Sequence, residues 1–433
     1  MNSISIIMIN KNRGFCLRRS ISSAVSQLQP CDEILLIDDD SDDDSLDIMR
    51  SFSDRATIEQ CRSGGNRSLV RNRAAAHSAG DILLFLDSDV ALFPGSLDII
   101  RAAFDDPETV GASGTTFGND HSSDQVEIAV GKTIDQLADM FDSDPSSLYA
   151  YPTLFDYRWH NPSLTADPSG NWKYYFGCFN AVRADIYRSI GGFDESFVKW
   201  GSEDIEFGYR LGKLGKIVYC RDAVVFHFSH ARNIFKNTRS NAENMCYFLG
   251  KHPSLEMEIH CAFKLDANPQ RLDSMRRMCA MIAKHNRCEP PVLREGEAAV
   301  MLPSEEHESG CVLYMEQGEL HSYELFGFAL PAENKRFSRL YICSEAHALP
   351  DRLLAMLLQE CLRVSHEVLL SNEDFCCPPI YFDEPGFYNG SPILNYCTLI
   401  CQFIEDFDFT DADGHYQRVT WKKNLKALLT GRE

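Results

Sequence analysis

The chain has 433 residues, enough for two or three domains, and its 44% apolar content is sufficient for ordinary packed cores. With 63 acidic against 42 basic residues the formal net charge is −21, which argues against a protein that grips nucleic acid through a broadly basic surface. The apolar run in "MNSISIIMINKNRG" is too short for a signal peptide or a membrane span. No stretch of about 18 apolar residues occurs elsewhere, so the expectation is a cytoplasmic protein without a membrane span, peripheral association remaining open. The 16 cysteines are scattered, mostly singly, in apolar surroundings, and are expected to be buried thiols rather than disulfides.

In chain order, "SISIIMIN" is rich in β-branched residues and predicts a strand, and "GFCLRRSISSAVSQL" has helical spacing. "EILLID" predicts a strand and "DSLDIMRSF" a helix whose acids sit at its start, where the dipole favours them. "ATIEQC" predicts a strand, "SLVRNRAAAHSAG" a helix ending at Gly80, and "DILLFLD" a strand. Strands alternating with helices imply an α/β fold with a mostly parallel central sheet. Ligands of such sheets bind beyond the carboxyl ends of the strands, where Asn10, Asp38 and Asp89 fall. Residues 118–170 are irregular and read as an insertion or lid near the site. Order returns over 174–250. Residues 261–309 read as a partly helical, loose linker, and 310–433 as a smaller second αβ region after a first domain at 1–260.

Several motifs carry chemistry. The strand "LLFLD" runs into Asp87-Ser88-Asp89, and uncompensated carboxylates at the edge of a core are expensive. Strand alternation would point both carboxylates the same way and make half a shell for a hard divalent ion. His227 and His230, in "VVFHFSHARN", lie three residues apart, and one of them would complete the shell. Taken singly, DSD is also a common turn, His227 a half-buried strand residue and His230 a surface one. Glu203 and Asp204 open an amphipathic helix after Trp200 and Gly201, a setting for a general base acting on a hydroxyl acceptor. In "DDDSDDDS" the first acids end a strand, where Asp38 or Asp39 can accept from the N3–H of a base such as uracil. The later ones read as a solvated run capping the next helix. Arg67, Arg71 and Arg73 stud the helix before the DSD strand, where a guanidinium can offset pyrophosphate charge.

These motifs occur together and in one order. The segment "SIIMINKN…LLIDDDSDDD…GNRSLVRNRAAAHSAGDILLFLDSD" resembles glycosyltransferase family 2, with the GT-A fold. "GGFDESFVKWGSEDIEFGYRLGKLG…VVFHFSHARN" resembles the carboxy-terminal half of the galactosyltransferase and chondroitin-polymerase type of catalytic domain; the two cover about residues 3–250. The resemblance implies a Rossmann-like nucleotide-sugar-binding domain and an inverting transfer from a UDP-sugar to a glycan, lipid-linked or peptide hydroxyl, with Mn2+ or Mg2+ as cofactor. It implies that Asp38 or Asp39 holds the uracil, that Arg71 lies near base and phosphates, and that Asp87 and Asp89 form the DxD, Asp89 the direct metal ligand. His227 and His230 both match metal-ligating positions. Asp204 matches the catalytic base, Glu203 an acceptor-binding neighbour, and Trp200 an aromatic that stacks on sugar. One departure is Ser202, where the family often has a second glycine.

The carboxy-terminal third faintly resembles the later half of a class I methyltransferase, but "YMEQGELHSYELFGF" lacks the glycine spacing of a loop that holds S-adenosylmethionine. The expectation there is a degenerate or accessory αβ domain. From a different class, a noncatalytic nucleotide-sugar or glycan-binding module that has kept the fold would share most of these features; intact DSD, ED and HxxH favour the enzyme.

Overall fold

In the computed structural model the described residues are 2–118, 132–371, 407–412 and 415–421, apart from 167, 199, 229, 231–233, 264–268, 287–288, 305, 344–345, 348 and 350. The chain divides into two units, Met1–Ser240 and Asn241–Glu433. Both are mixed α/β, the class expected from the sequence.

The first unit is built on eight strands: β1 (Ile4–Asn10), β2 (Glu33–Asp39), β3 (Thr57–Cys61), β4 (Ile82–Asp87), β5 (Val90–Leu92), β6 (Thr109–Phe117), β7 (Phe179–Arg183) and β8 (Lys216–His227). They lie in the order β3-β2-β1-β4-β7-β6-β8-β5. β1 to β4 are mutually parallel, and β6 is parallel to β8; β7 and β5 run against their neighbours. The central strands are near-continuous apolar runs because helices cover both faces of a parallel sheet. Ile4, Ile6 and Met8 pack with Leu17, Ile21 and Ala24, the inward stripe of helix α1 (Gly14–Val25). Register then aligns the polar strand ends. Asn10 pairs with Asp38 across β1–β2, and Ile9 with Asp87 across β1–β4.

The helix expected to reach Gly80 stops at Ala76, as helix α3 (Arg67–Ala76), after α2 (Ser45–Arg50). Gly80 serves a different purpose: a Cβ there would lie 2.6 Å from the backbone nitrogen of Ser5, so its absence lets the α3–β4 link cross the start of β1. Residues 119–131 of the expected lid lie outside the described residues. From 134 to 174 the chain forms short α- and 3-10 helices that pack Leu137, Phe141, Leu148 and Phe155 against Phe117 and Phe226.

In the second unit the strands β9 (Glu297–Met301), β10 (Cys311–Glu316), β11 (Glu319–Tyr323), β12 (Phe337–Ile342), β13 (Ser365–Ser371), β14 (Phe407–Asp411) and β15 (Tyr416–Trp421) form one sheet, β11-β10-β9-β12-β13-β15-β14. β9, β12 and β13 are parallel, with β15 antiparallel between β13 and β14. β9, in a stretch expected to be loose, is a fully buried strand. The segment around Gly318 is a β10–β11 hairpin, with Gln317 and Gly318 both at positive φ, as a tight primed turn requires. The buried carboxylate of Glu258 accepts hydrogen bonds from the backbone nitrogens of Phe326, Gly327 and Phe328 at 2.6–2.7 Å, and burial raises its pKa to about 7 despite them. No helix among the described residues is long and apolar enough to cross a membrane.

One ion pair pins the amino-terminal ends of β1 and β2. Asp32 accepts from the backbone nitrogens of Ile4 and Gln29 and takes a bidentate grip from Arg101, at 3.0 and 2.6 Å. Burial works against the charged form of Asp32, but these donors outweigh it and hold the carboxyl below its usual range. Asp32→Ala strands the buried Arg101 charge and is expected to cost about 3–5 kcal/mol in the urea unfolding transition of the first unit.

Candidate active site

The β1–α1 loop and the β2–α2 loop are tied together at the carboxyl ends of their strands. Lys11 Nζ donates to the carbonyl of Asp39 at 2.8 Å, Asp42 N to Asn12 Oδ1 at 2.9 Å, Arg13 N to Ser45 Oγ at 3.1 Å and Gly14 N to Asp43 Oδ2 at 2.9 Å. The acidic run therefore is not simply solvated, because Asp43 satisfies an orphan donor at the start of α1. Asn12 and Asp40 take left-handed φ values of 52° and 58°, which their side-chain types tolerate. Asn10 donates from Nδ2 to Asp38 Oδ1 at 3.1 Å, while its own Oδ1 is buried without a partner. Asp38 also accepts from Ser41 N at 3.1 Å. Asp39 accepts from the Ser63 nitrogen and hydroxyl, both at 2.6 Å, which draws the glycine-rich turn after β3 against the site.

A buried arginine organises the acids on the other side. Arg71 reaches inward from α3, 2% exposed, and donates to Glu203 Oε1 at 3.0 Å, Asp87 Oδ1 at 3.3 Å and the Gly177 carbonyl at 3.4 Å. Its guanidinium carbon lies 5.2 Å from the centre of the Phe193 ring. Burial disfavours its charge, but Asp87, Glu203 and Asp204 together keep its pKa raised. Glu203 is thus turned inward onto Arg71. Asp204 is half-buried, accepting at Oδ2 from Gly177 N at 2.6 Å. Burial and then the neighbouring Glu203 raise the Asp204 carboxyl to about 7, against the pull of the Gly177 N–H and Arg71. Asp87 is also raised, by burial first, with Arg71 opposing and Asp89 adding to the rise.

Asp89 has the opposite electrostatics. β4 ends at Asp87, the chain turns at Ser88–Asp89, and β5 then pairs with the end of β8, Val90 opposite His227. Phe228 N donates to the Asp89 carbonyl at 2.8 Å, extending that pairing. Because the strand has ended, alternation no longer governs the two carboxylates, and they meet different cations. Asp89 Oδ2 lies 3.0 Å from His230 Nε2 and 2.9 Å from Arg13 Nε, and Oδ1 lies 3.8 Å from His227 Nε2. Burial would raise its pKa, but His227, His230 and Arg13 force it far below the usual carboxylate range. Asp89, His227 and His230 each offer a ligand atom, all within 4.8 Å of one another. One oxygen and two imidazoles make a donor set for a divalent ion. Asp87 is not in this group; its carboxylate answers Arg71.

Asn10, Arg13, Asp39, Arg67, Asp87, Asp89 and Trp200 line a cavity of 510 Å³, while Arg71, Glu203, Asp204 and the two histidines stand behind that lining, in contact with Asp87 and Asp89 or with each other. Trp200 is 39% exposed there, its backbone held to Ser240 Oγ by donor and acceptor contacts of 3.0 and 2.8 Å. Three contributors were not singled out in the sequence. Arg13 sits on the metal-ligand candidates. Asn72 grips the segment that leads to Trp200, donating to Phe193 O at 2.8 Å and accepting from Phe193 N at 2.9 Å. At Gly177 a Cβ would meet Arg71 Nη2 at 2.9 Å and Asp204 Oδ2 at 3.2 Å, so only glycine lets both close on the backbone. Asn72 adjoins Arg71 and Arg73, which was the available hint; Arg13 lies three residues beyond Asn10, and nothing in the sequence marks Gly177.

With this geometry in place, the relationships to known proteins are informative. Residues 5–190 match the family described as glycosyl transferase family 2, and residues 160–231 match that described as the N-terminal domain of galactosyltransferase. The first unit thus carries a glycosyltransferase family 2 match over residues 5–190. The chain is 28% identical to validoxylamine A glucosyltransferase of Streptomyces hygroscopicus subsp. jinggangensis over 60% of this chain and 63% of that protein. To the chondroitin synthase of Pasteurella multocida it is 26% identical, over 48% of this chain and 23% of the synthase. A solved mannosyltransferase of Pyrobaculum calidifontis, in complex with GDP-mannose and Mn2+, is 16% identical over 57% of this chain and 63% of that one, with a TM-score of 0.42. The chain spans about three fifths of the length of the validoxylamine glucosyltransferases it matches.

Ser202 tests the loop before Asp204. It adopts φ 66°, after Gly201 at φ 108°, so a side chain occupies a left-handed position where the family often has glycine. Ser202→Val adds β-branching at that φ and is expected to lower stability by about 1–2 kcal/mol, whereas Ser202→Gly is tolerated; thermal unfolding of the two variants measures the difference.

Proposed function

We propose that the chain is an inverting, divalent-metal-dependent glycosyltransferase that moves a sugar from a UDP-sugar to an acceptor hydroxyl, the acceptor being a glycan, a lipid-linked sugar or a peptide side chain. The observation that carries this reading is a metal-type triad whose Asp89 lines the cavity beside Asp87, with Arg71 linking Asp87 to Glu203 and its neighbour Asp204, a carboxyl poised near neutrality. The names of the relatives, a glucosyltransferase and a chondroitin synthase, agree with it.

Asp89, His227 and His230 would hold the ion, which when bound supplies positive charge against a departing diphosphate. The remaining work belongs to the chain. Asn10, with its unpartnered Oδ1, and Asp38 and Asp39 at the ends of β1 and β2 offer acceptors to the base of the donor. Arg71 fixes Asp87 and Glu203, so Glu203 acts by tuning and positioning Asp204 rather than by touching the acceptor. Asp204 Oδ1 and Oδ2 are anchored by the Ile205 and Gly177 nitrogens, leaving lone pairs on a carboxylate with a pKa of about 7 to receive the hydroxyl proton. Trp200, exposed at the cavity, offers a flat face to a sugar ring. This division of labour favours the enzyme over a noncatalytic binding module, since a binding module has no use for a carboxyl held near neutral pKa.

Titration with UDP and a panel of UDP-sugars, with and without Mn2+, combined with slow donor hydrolysis, tests the proposal. Metal-dependent binding with hydrolysis of one sugar supports it, and no nucleotide binding under any condition refutes it. Asp204 must be ionised to accept a proton, so kcat/KM should rise with pH up to about 7 and then level off. Asp204→Asn should lower kcat by about 10²–10⁴-fold and remove that rise.

A further inference from the structure

The metal-type triad is not the whole neighbourhood of Asp89. Arg13, the residue just before helix α1, places Nε 2.9 Å from Asp89 Oδ2 and Nη2 3.2 Å from His230 Nε2. Those are two of the atoms that would hold the ion. Its Nη1 donates to the carbonyls of Lys11 and Asn12, at 3.3 and 3.0 Å, so the guanidinium is set against the ligands by its own loop. Its side chain is 24% exposed and lines the same cavity as Arg67 and Asp87, so it can turn outward without unpacking a core.

Resting on the metal-dependent reading above, we propose that Arg13 is a built-in counter-ion that occupies the metal site when it is empty and couples metal binding to donor binding. A divalent ion and a guanidinium cannot both sit against the same buried carboxylate oxygen without strong like-charge repulsion. An ion arriving alone must therefore displace Arg13 from Asp89 and His230 with no new anion to receive it. A nucleoside diphosphate in the cavity supplies that anion, and a planar guanidinium suits phosphate oxygens. Ion and nucleotide then each bind better in the presence of the other, by the same factor. The arrangement keeps the site charge-balanced when empty and disfavours metal loading without donor.

The test uses the full chain and two probes, Mn2+ and UDP. Calorimetry, or the free-Mn2+ electron paramagnetic resonance signal, gives the Mn2+ dissociation constant without nucleotide, and UDP affinity is measured with and without Mn2+. Arg13→Met keeps the length and apolar stem but removes the charge. It is expected to tighten Mn2+ alone by roughly tenfold and to shrink the factor by which Mn2+ improves UDP binding. Arg13→Lys, a point charge without the fork, should fall between Met and the unaltered protein. Unchanged or weaker Mn2+ binding by Arg13→Met, with Mn2+ binding by the unaltered protein intact, overturns the counter-ion role while leaving the transferase reading in place. Failure of the unaltered protein to bind Mn2+ with or without UDP overturns both.

Discussion

Asp89 keeps a negative charge in a position only 7% exposed, and the arrangement of three distant chain segments follows from that constraint. An isolated buried carboxylate would neutralise. Here it stays ionised because the β5–β8 pairing delivers His227, the chain beyond β8 returns His230, and the β1–α1 loop brings Arg13. Each of those segments is fixed in turn. β1 is centred in the parallel part of the sheet, and its loop is laced to the β2–α2 loop by Lys11, Asn12 and Gly14. The acidic end of β4 is thus a point around which the sheet edge, two loops and the end of a long antiparallel strand are organised.

A second charge network lies against the first and is tuned the other way. Arg71 is a single cation shared by Asp87 and Glu203, with Asp204 close by, so it cannot fully offset all three acids. Asp204, last in that queue and partly buried, is left near neutrality, whereas Asp89, against Arg13 and two imidazoles, is driven far down. Two carboxyls separated in this manner are suited to different tasks, one to take a proton and one to stay charged. Burial alone does not separate them, since it raises both; the partners that face each acid do.

Much of this was legible in the sequence because it is written in local patterns. The strand–helix alternation, the polar residues closing β1, β2 and β4, and the ED pair opening a helix all depend on periodicity and element ends. Where the reading ran out, the cause was long range. That Asp87 and Asp89 part company depends on the chain turning after β4 and on β5 finding β8, more than a hundred residues away. Arg71 was expected near base and phosphates, but that Glu203 and Asp87 converge on it from distant segments is not written in any local pattern. Gly177 carries no signal of its own, since its need for a missing Cβ exists only once Arg71 and Asp204 close on it. The strand β9 was hidden because a glutamate and four apolar residues after a glycine resemble a loop's edge until a sheet covers them.

In the proposed mechanism Asp89 and the two imidazoles are a metal site facing the donor's diphosphate. Pulsed electron paramagnetic resonance of Mn2+ bound with UDP reads that arrangement directly. The expected result is nitrogen modulation from imidazole, lost stepwise in His227→Ala and His230→Ala, together with phosphorus coupling from the nucleotide. Phosphorus coupling without any nitrogen modulation, or Mn2+ bound with neither, would contradict it.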